Sequence, residues 1–380
     1  AYPWEISYAL DIPNYVNMPV IQAYSVYTPW LDSQNADFFS DNSRAPHFIV
    51  FNMKTIDESG EKEVSNCKYA PVVAFAYNRA DKIIRCLESV ERNAEAKETD
   101  LIIYCDGAKS EKDLARVEET RKDLCSYKDK AGFSSVKIVE VPQNKGLAKS
   151  IIEGVTEVIE QYGKVIVVED DLVVSKKFLE YMNGALEFYE GNPNVGAISG
   201  YTYPLDGLKD YPKDVYLLHK GDCWGWATWK DAWDKASWAD VNYDEYFKDG
   251  DLRRRFENTE NGWDLLMVLQ YQGKISSWAV RWVLSLLKRD LWTLYPKDSY
   301  VTNEGFDGSG THSNKAEEAH YFTGLTTDDK ECCFTVVKLD KALEKEAAGF
   351  PRKGFKAGVK YYLKRVYVTL FDLKRVILNG

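Results

Sequence analysis

From Tyr69 onward the chain alternates short apolar runs with amphipathic stretches. Pro71-Val-Val-Ala-Phe-Ala is unbroken apolar sequence, the mark of a strand buried on both faces in a parallel sheet. After Asn78-Arg-Ala-Asp, the residues Ile83, Ile84, Leu87 and Val90 share one face of a predicted helix. Leu101-Ile-Ile-Tyr-Cys predicts a second strand ending at Asp106-Gly107, and a charged helix is expected over about 111–125. Val136-Lys-Ile-Val-Glu-Val predicts a third strand. A helix then runs from about Leu147 to Tyr162, with Leu147, Ile151, Val155 and Val158 inward and Gly163 as its stop. The fourth strand, Lys164-Val-Ile-Val-Val, leads directly into Glu169-Asp170-Asp171.

Strands that alternate with helices predict an α/β fold: a mainly parallel central sheet flanked by helices, with ligands at the carboxyl ends of the strands. The polar signatures Asn78-Arg79, Asp106, Asn144 and Asp170-Asp171 all fall at such ends. Residues 1–66 have another character, rich in aromatics, Asn, Asp and Pro with one clear strand, Phe48-Ile-Val-Phe-Asn. They read as an N-terminal extension of unknown role, followed by a main domain over 67–330 and a C-terminal segment over 331–380.

Composition narrows the function. A formal net charge of −10 argues against a nucleic-acid partner, because neutralising phosphates takes a basic surface. Seven cysteines, an odd number with no C-x-x-C spacing, suit reduced thiols rather than a disulfide scaffold or a zinc site. With no secretory signal at the start and no bilayer-spanning run, the expected location is the cytoplasm, at or near the inner face of the cytoplasmic membrane. The membrane enters through the tail. From Arg352 onward eight basic residues face a single acid, Asp372, and Phe355, Val359, Tyr362, Val366, Leu370, Leu373 and Ile377 recur at three- and four-residue steps. This basic amphipathic helix suits peripheral contact with an anionic membrane through 352–378, or packing on the domain with a solvated basic face.

Adjacent carboxylates after a buried strand repel one another unless a cation neutralises them, and hard oxygen ligands suit Mn²⁺ or Mg²⁺. The run Val167-Val-Glu-Asp-Asp-Leu resembles the metal-binding motif of GT-A-fold glycosyltransferases, in particular family 2-like bacterial sugar transferases and the N-acetylglucosaminyltransferase that initiates complex N-glycans. The resemblance spans roughly 69–325 and implies a GT-A fold. It implies that Asp171 binds the metal, that Asp170 contacts the ribose or orients the site, and that Glu169 supports them. Ala76-Tyr-Asn-Arg resembles the first-strand nucleotide contact, which implicates Ala76, Asn78 and Arg79. Asp106-Gly107 resembles the pair that meets the uracil, and Asn144-Lys-Gly-Leu the turn beside the nucleotide, with Asn144 and Gly146. Outside that context Asp106 before Gly is an ordinary Asx turn.

The stretch Gly221-Asp-Cys-Trp-Gly-Trp-Ala-Thr-Trp-Lys-Asp-Ala-Trp resembles the family segment that lines donor and acceptor, so Trp224, Gly225 and Trp226 are expected there; Trp229 and Trp233 are expected to pack only. Asn261-Gly-Trp263-Asp264 resembles the Trp-Asp base motif, which makes Asp264 the expected general base and Trp263 its support. A plain helix-start Asp satisfying backbone N–H groups is the other reading of Asp264. Arg281, between Trp278 and Trp282, is expected on a diphosphate or on a surface acid. His312, at the end of Gly305-Phe-Asp-Gly-Ser-Gly-Thr, matches the family's late metal ligand and is one of only four His.

The resemblance therefore implies an inverting, metal-dependent transferase moving a sugar from a nucleotide sugar, UDP-linked by preference, to a glycan or lipid-linked acceptor. A sugar nucleotidyltransferase would use a similar sheet, but Ala76-Tyr-Asn-Arg-Ala-Asp lacks its Gly-rich basic loop. A catalytically inactive glycan-binding relative is the non-enzymatic alternative, against which Asp171, Asp264 and His312 stand together.

Overall fold

Val72–Ala76 (β1) is buried at every position and lies between two parallel neighbours, so its side chains serve two cores at once. Val72, Ala74 and Ala76 enter one layer and Val73 and Phe75 the other, as the two-residue strand period requires. The computed structural model describes residues 68–239, 241–259, 262–307, 321–326, 332–350 and 355–379.

The chain continues through α1 (Ala80–Glu91), β2 (Asp100–Cys105), α2 (Glu111–Lys128), β3 (Ser135–Glu140), α3 (Leu147–Tyr162) and β4 (Lys164–Glu169). Next come β5 (Leu172–Val174), α4 (Phe178–Phe188), β6 (Val195–Ser199), β7 (Val215–Leu218) and β8 (Trp226–Trp229). A helical stretch follows: α5 (Lys230–Trp233), α6 (Tyr243–Lys248), α7 (Gly250–Thr259), α8 (Trp263–Tyr271) and α9 (Trp278–Lys288). The last elements are β9 (Trp292–Pro296), β10 (Val301–Asn303), α10 (Lys341–Gly349) and α11 (Phe355–Asn379).

The main sheet has the order β3-β2-β1-β4-β8-β6-β9-β7. The first four strands are parallel, while β8 runs against both β4 and β6, and β7 against β9. A separate pair, β5 with the antiparallel β10, starts immediately after the acidic triplet. One face of the sheet is covered by α1 and α4, which bury Ile83, Leu87, Val90, Phe178, Leu179 and Met182. The other is covered by α3 and α9, through Ile151, Val155, Val158 and a group of indoles. The fold is thus α/β with a mainly parallel sheet, as the rhythm of the sequence predicts.

One local expectation changes. Leu147, placed inward by periodicity, is exposed, because it opens the first turn of α3 above the sheet. The third strand is only partly covered, as an edge strand is. Residues 332–339 lie along α4, where Phe334 packs on Gly184 and Tyr189 donates to the Thr335 carbonyl. Residues 1–66, including the strand read at Phe48, lie outside the described residues.

Candidate active site

The carboxyl ends of β1, β2 and β4 form the site, and each carries its polar residue because a buried apolar strand ends there. At the end of β4, Arg79 donates from Nε to Asp170 Oδ2 at 2.9 Å, from a second nitrogen to Asp170 Oδ1, and to Asp171 Oδ2 at 3.1 Å. A guanidinium fork matches a carboxylate in this bidentate way. Burial alone would lower the Arg79 group, but Asp170 and Asp171 more than reverse that and raise it. Asp170 is pushed up to about 6, first by burial and then by Asp171 against the pull of Arg79. Glu169 stands well above the usual carboxylate range, first by burial and then through Asp171 and Asp170.

A fourth carboxylate joins these three. Asp222 accepts from Ser199 Oγ at 2.8 Å and from the backbone N–H groups of Cys223 and Trp224 at 2.6 and 3.0 Å. Burial pushes it up to about 6, and it adds to the repulsion on Glu169. Asp222 was missed as a site residue although it sits inside the Trp-rich stretch; a carboxylate just before the first indole was the available signal. By fixing the Trp224 backbone it also holds that ring, which meets Tyr201, Phe306 and Tyr321 edge-on with centroids 4.6, 5.8 and 5.8 Å away.

The segment after β10 lies across the triplet. Glu304 N–H donates to the Asp171 carbonyl at 2.8 Å, while Lys82 and Arg85 of α1 hold Glu304 from the other side. Gly305 comes closest. A Cβ there would overlap Asp171 Oδ2 and stand 2.8 Å from Asn303 Oδ1, so only glycine lets the chain pass this close to the two oxygens. Asp171 Oδ2 accepts from Arg79 at 3.1 Å and Asn303 Oδ1 from the Gly305 N–H at 2.6 Å. Among the described residues no group of three or more His, Cys, Asp or Glu is gathered for a metal, and His312 lies outside them.

Asp106, at the end of β2, is engaged with its own loop. Its carboxylate accepts from the N–H groups of Gly107, Lys145 and Gly146 and from Asn144 Nδ2, each at 2.9–3.0 Å. Gly107 lets the two loops touch, since a Cβ there would lie 2.7–2.9 Å from the backbone of residues 142–144. Asp106, Asn144 and Gly146 thus stitch the turn that opens α3. Ala76 is buried and its carbonyl accepts from the Asp106 N–H at 3.0 Å. Asn78 turns toward Asp113.

Two expected ligand contacts are not found, and Asp264 stands in a tight hydrogen-bonded setting. Trp226 is buried and stacked on Trp233 and Trp278, with centroids 5.8 and 5.1 Å away, so it packs the core instead of facing a sugar. Gly225 beside it packs on Val301 and Phe178. Arg281 faces neither a phosphate site nor an acid: it donates to the carbonyls of Ser277 and Trp238 at 3.1 and 2.6 Å. Asp264 is 1% exposed, and its oxygens are held by Tyr246 Oη at 2.8 Å, Arg253 at 3.1 and 2.9 Å, and Arg365 of α11 at 3.2 Å. The helix-start role falls to Glu257, which accepts from the Gly262 and Asp264 N–H groups at 3.1 and 3.0 Å. Trp263 packs edge-on against Phe256.

This sheet order, with an acidic strand end at its centre, agrees with the GT-A fold expected from the sequence. Residues 72–226 match the model of Glycosyl transferase family 2. An alpha-1,3-mannosyl-glycoprotein 2-beta-N-acetylglucosaminyltransferase of Arabidopsis thaliana is 23% identical over 192 residues, which are 47% of this chain and 42% of the relative. The chain thus spans less than half the length of that relative. Among solved structures, S. aureus TarS 1–349 is similar with a TM-score of 0.37 at 11% identity, over 66% of this chain and 62% of that one. GalNAc-T7 with UDP, GalNAc and Mn²⁺ is similar with a TM-score of 0.41 at 10% identity, over 65% and 46%.

Proposed function

We propose that this chain is an inverting glycosyltransferase that moves a sugar from a UDP-sugar to a glycan or lipid-linked acceptor, with Mn²⁺ or Mg²⁺ bound at Asp171. The observation that carries the reading is the acidic end of β4, where Asp170 and Asp171 meet Arg79 inside the stretch that matches the family 2 glycosyltransferase model. The cation, when bound, would supply Lewis-acid stabilisation of the departing diphosphate.

The chain's own residues do the rest. Asp171 would hold the cation, and Asp170 orients Arg79. Arg79 is bound to the carboxylates through Nε and Nη2, and its buried Nη1, which has no partner among the described residues, would meet the diphosphate. Trp224 offers the donor sugar an aromatic wall, half-buried and backed by Tyr201 and Phe306. Asp264 is the proposed base; taking a proton from the acceptor hydroxyl requires that both Arg253 and Arg365 first leave its Oδ2. The name of the plant relative makes N-acetylglucosamine the first donor sugar to test. The basic tail is proposed to bring the enzyme to an anionic membrane carrying the acceptor.

Calorimetry of UDP with Mn²⁺ tests the core of this reading. Asp171→Ala should abolish metal-dependent binding, and unchanged binding would overturn it.

A further inference from the structure

Helix α11 is amphipathic, yet its apolar face is turned away from the domain. Tyr362, Leu363, Leu370 and Leu373 are 55–68% exposed, and Val359 and Val366 continue the same stripe at three- and four-residue steps. The opposite face makes the attachment. Val368 is buried with Phe371 beside it, Arg365 reaches Asp264, Asp372 pairs with Arg253 at 3.0 Å, and Arg375 pairs with Asp244. The helix thus packs on the domain, but with Arg365 and Arg375 turned inward and an apolar stripe outward, where the sequence-based alternative had a solvated basic face.

We propose that the outward stripe of α11 seats in the headgroup region of an anionic bilayer, with the helix lying in the plane of the surface. This rests on the proposal that the tail meets a membrane and is independent of the transfer chemistry. A contiguous apolar stripe on a docked helix is not explained by folding, since exposing it gains nothing. Its 25 residues span about 37 Å, a long contact for a helix lying flat. Among the described residues no helix is long and apolar enough to cross a membrane. Charge selects the occupant: the segment from Arg352 carries eight basic residues and one acid on a chain of net charge −10, and while Arg365 and Arg375 pair inward, Lys374 is exposed beside the stripe. An anionic surface attracts this segment and repels the rest, which orients the molecule. A second copy of the chain would bring the same basic segment against itself.

The full-length protein is floated with vesicles of phosphatidylcholine, with and without phosphatidylglycerol, at low and raised salt. Wild type should float with the anionic vesicles and lose binding as salt rises. Leu363→Glu/Leu370→Glu should lose at least tenfold in binding with an unchanged unfolding temperature, whereas Leu114→Glu, an exposed leucine on α2, should bind as wild type. Absence of flotation by wild type, or undiminished flotation by the double variant, overturns the proposal. So does a dimer in light scattering that the double variant dissolves without any vesicle binding. UDP–Mn²⁺ calorimetry on the same samples reads the donor site separately, so failure of one reading leaves the other measurable.

Discussion

Arg79 illustrates how little of a carboxylate site is visible until its counter-ion is placed. The sequence assigns Arg79 to the nucleotide and Asp170 and Asp171 to ribose and metal, but the structure adds that Arg79 pairs with both carboxylates. For Asp222, burial outweighs the pull of its hydrogen bonds and of Lys220. Its folded value near 6 lies above the ordinary 3.8, so the native state holds its proton more tightly than the unfolded chain does. That stabilisation is complete below about pH 4 and is lost as the pH rises through 6. Asp222→Asn keeps both backbone N–H bonds on its oxygen and can donate to Ser199 Oγ, which is free to donate onward to the Tyr201 carbonyl. The substitution should therefore raise stability at pH 7.5 by about 1–3 kcal/mol and have little effect at pH 4, as read by denaturant unfolding at the two pH values. Trp226 and Arg281 were misassigned for a shared reason: aromatic and cationic side chains look alike in sequence whether they face a ligand or a core carbonyl.

At the scale of elements, loops carry more of the site than strands do. The Asp106 carboxylate gathers donors from residues 107 and 144–146, so one side chain fixes the entry to α3. Asp106→Ala would leave several N–H groups unpaired and should lower stability by about 1–3 kcal/mol, measured by urea denaturation. The pairing of β10 with β5 has a sharper effect, because it lays Gly305 against Asp171. Gly305→Ala should displace the Asp171 carboxylate and weaken metal-dependent UDP binding tenfold or more while the far-ultraviolet circular dichroism stays unchanged. Neither contact was legible beforehand: β5 and β10 have three residues each, too short for periodicity to reveal, and their partners lie over a hundred residues apart. The long elements were legible, and α3 runs from Leu147 to Tyr162 as its pattern predicts.

Across the whole molecule, the parallel half of the sheet follows from the apolar runs before Asp171. The antiparallel half, β8 and β7, does not, since direction is set by the connections. The hub at Asp264 is likewise a product of tertiary structure: Arg253 and Asp264 lie on neighbouring helices, but Arg365 arrives from 101 residues away. Asp264→Asn removes the charge that two guanidinium groups share, and breaking a buried pair of this kind should lower stability by about 3–5 kcal/mol on chemical denaturation.

The inward face of α11 bears on how the protein is handled as well as on how it works. An amphipathic tail is the first part trimmed to improve solubility, yet here it completes the environment of a carboxylate far from the chain end. A chain ended near Gly349 would lose Arg365 from Asp264, Asp372 from Arg253 and Val368 from the cluster around Phe256. Such a shortened protein would be disabled at its centre, and its inactivity would say nothing about the need for a membrane. Outward substitutions on the stripe separate the two questions that truncation merges.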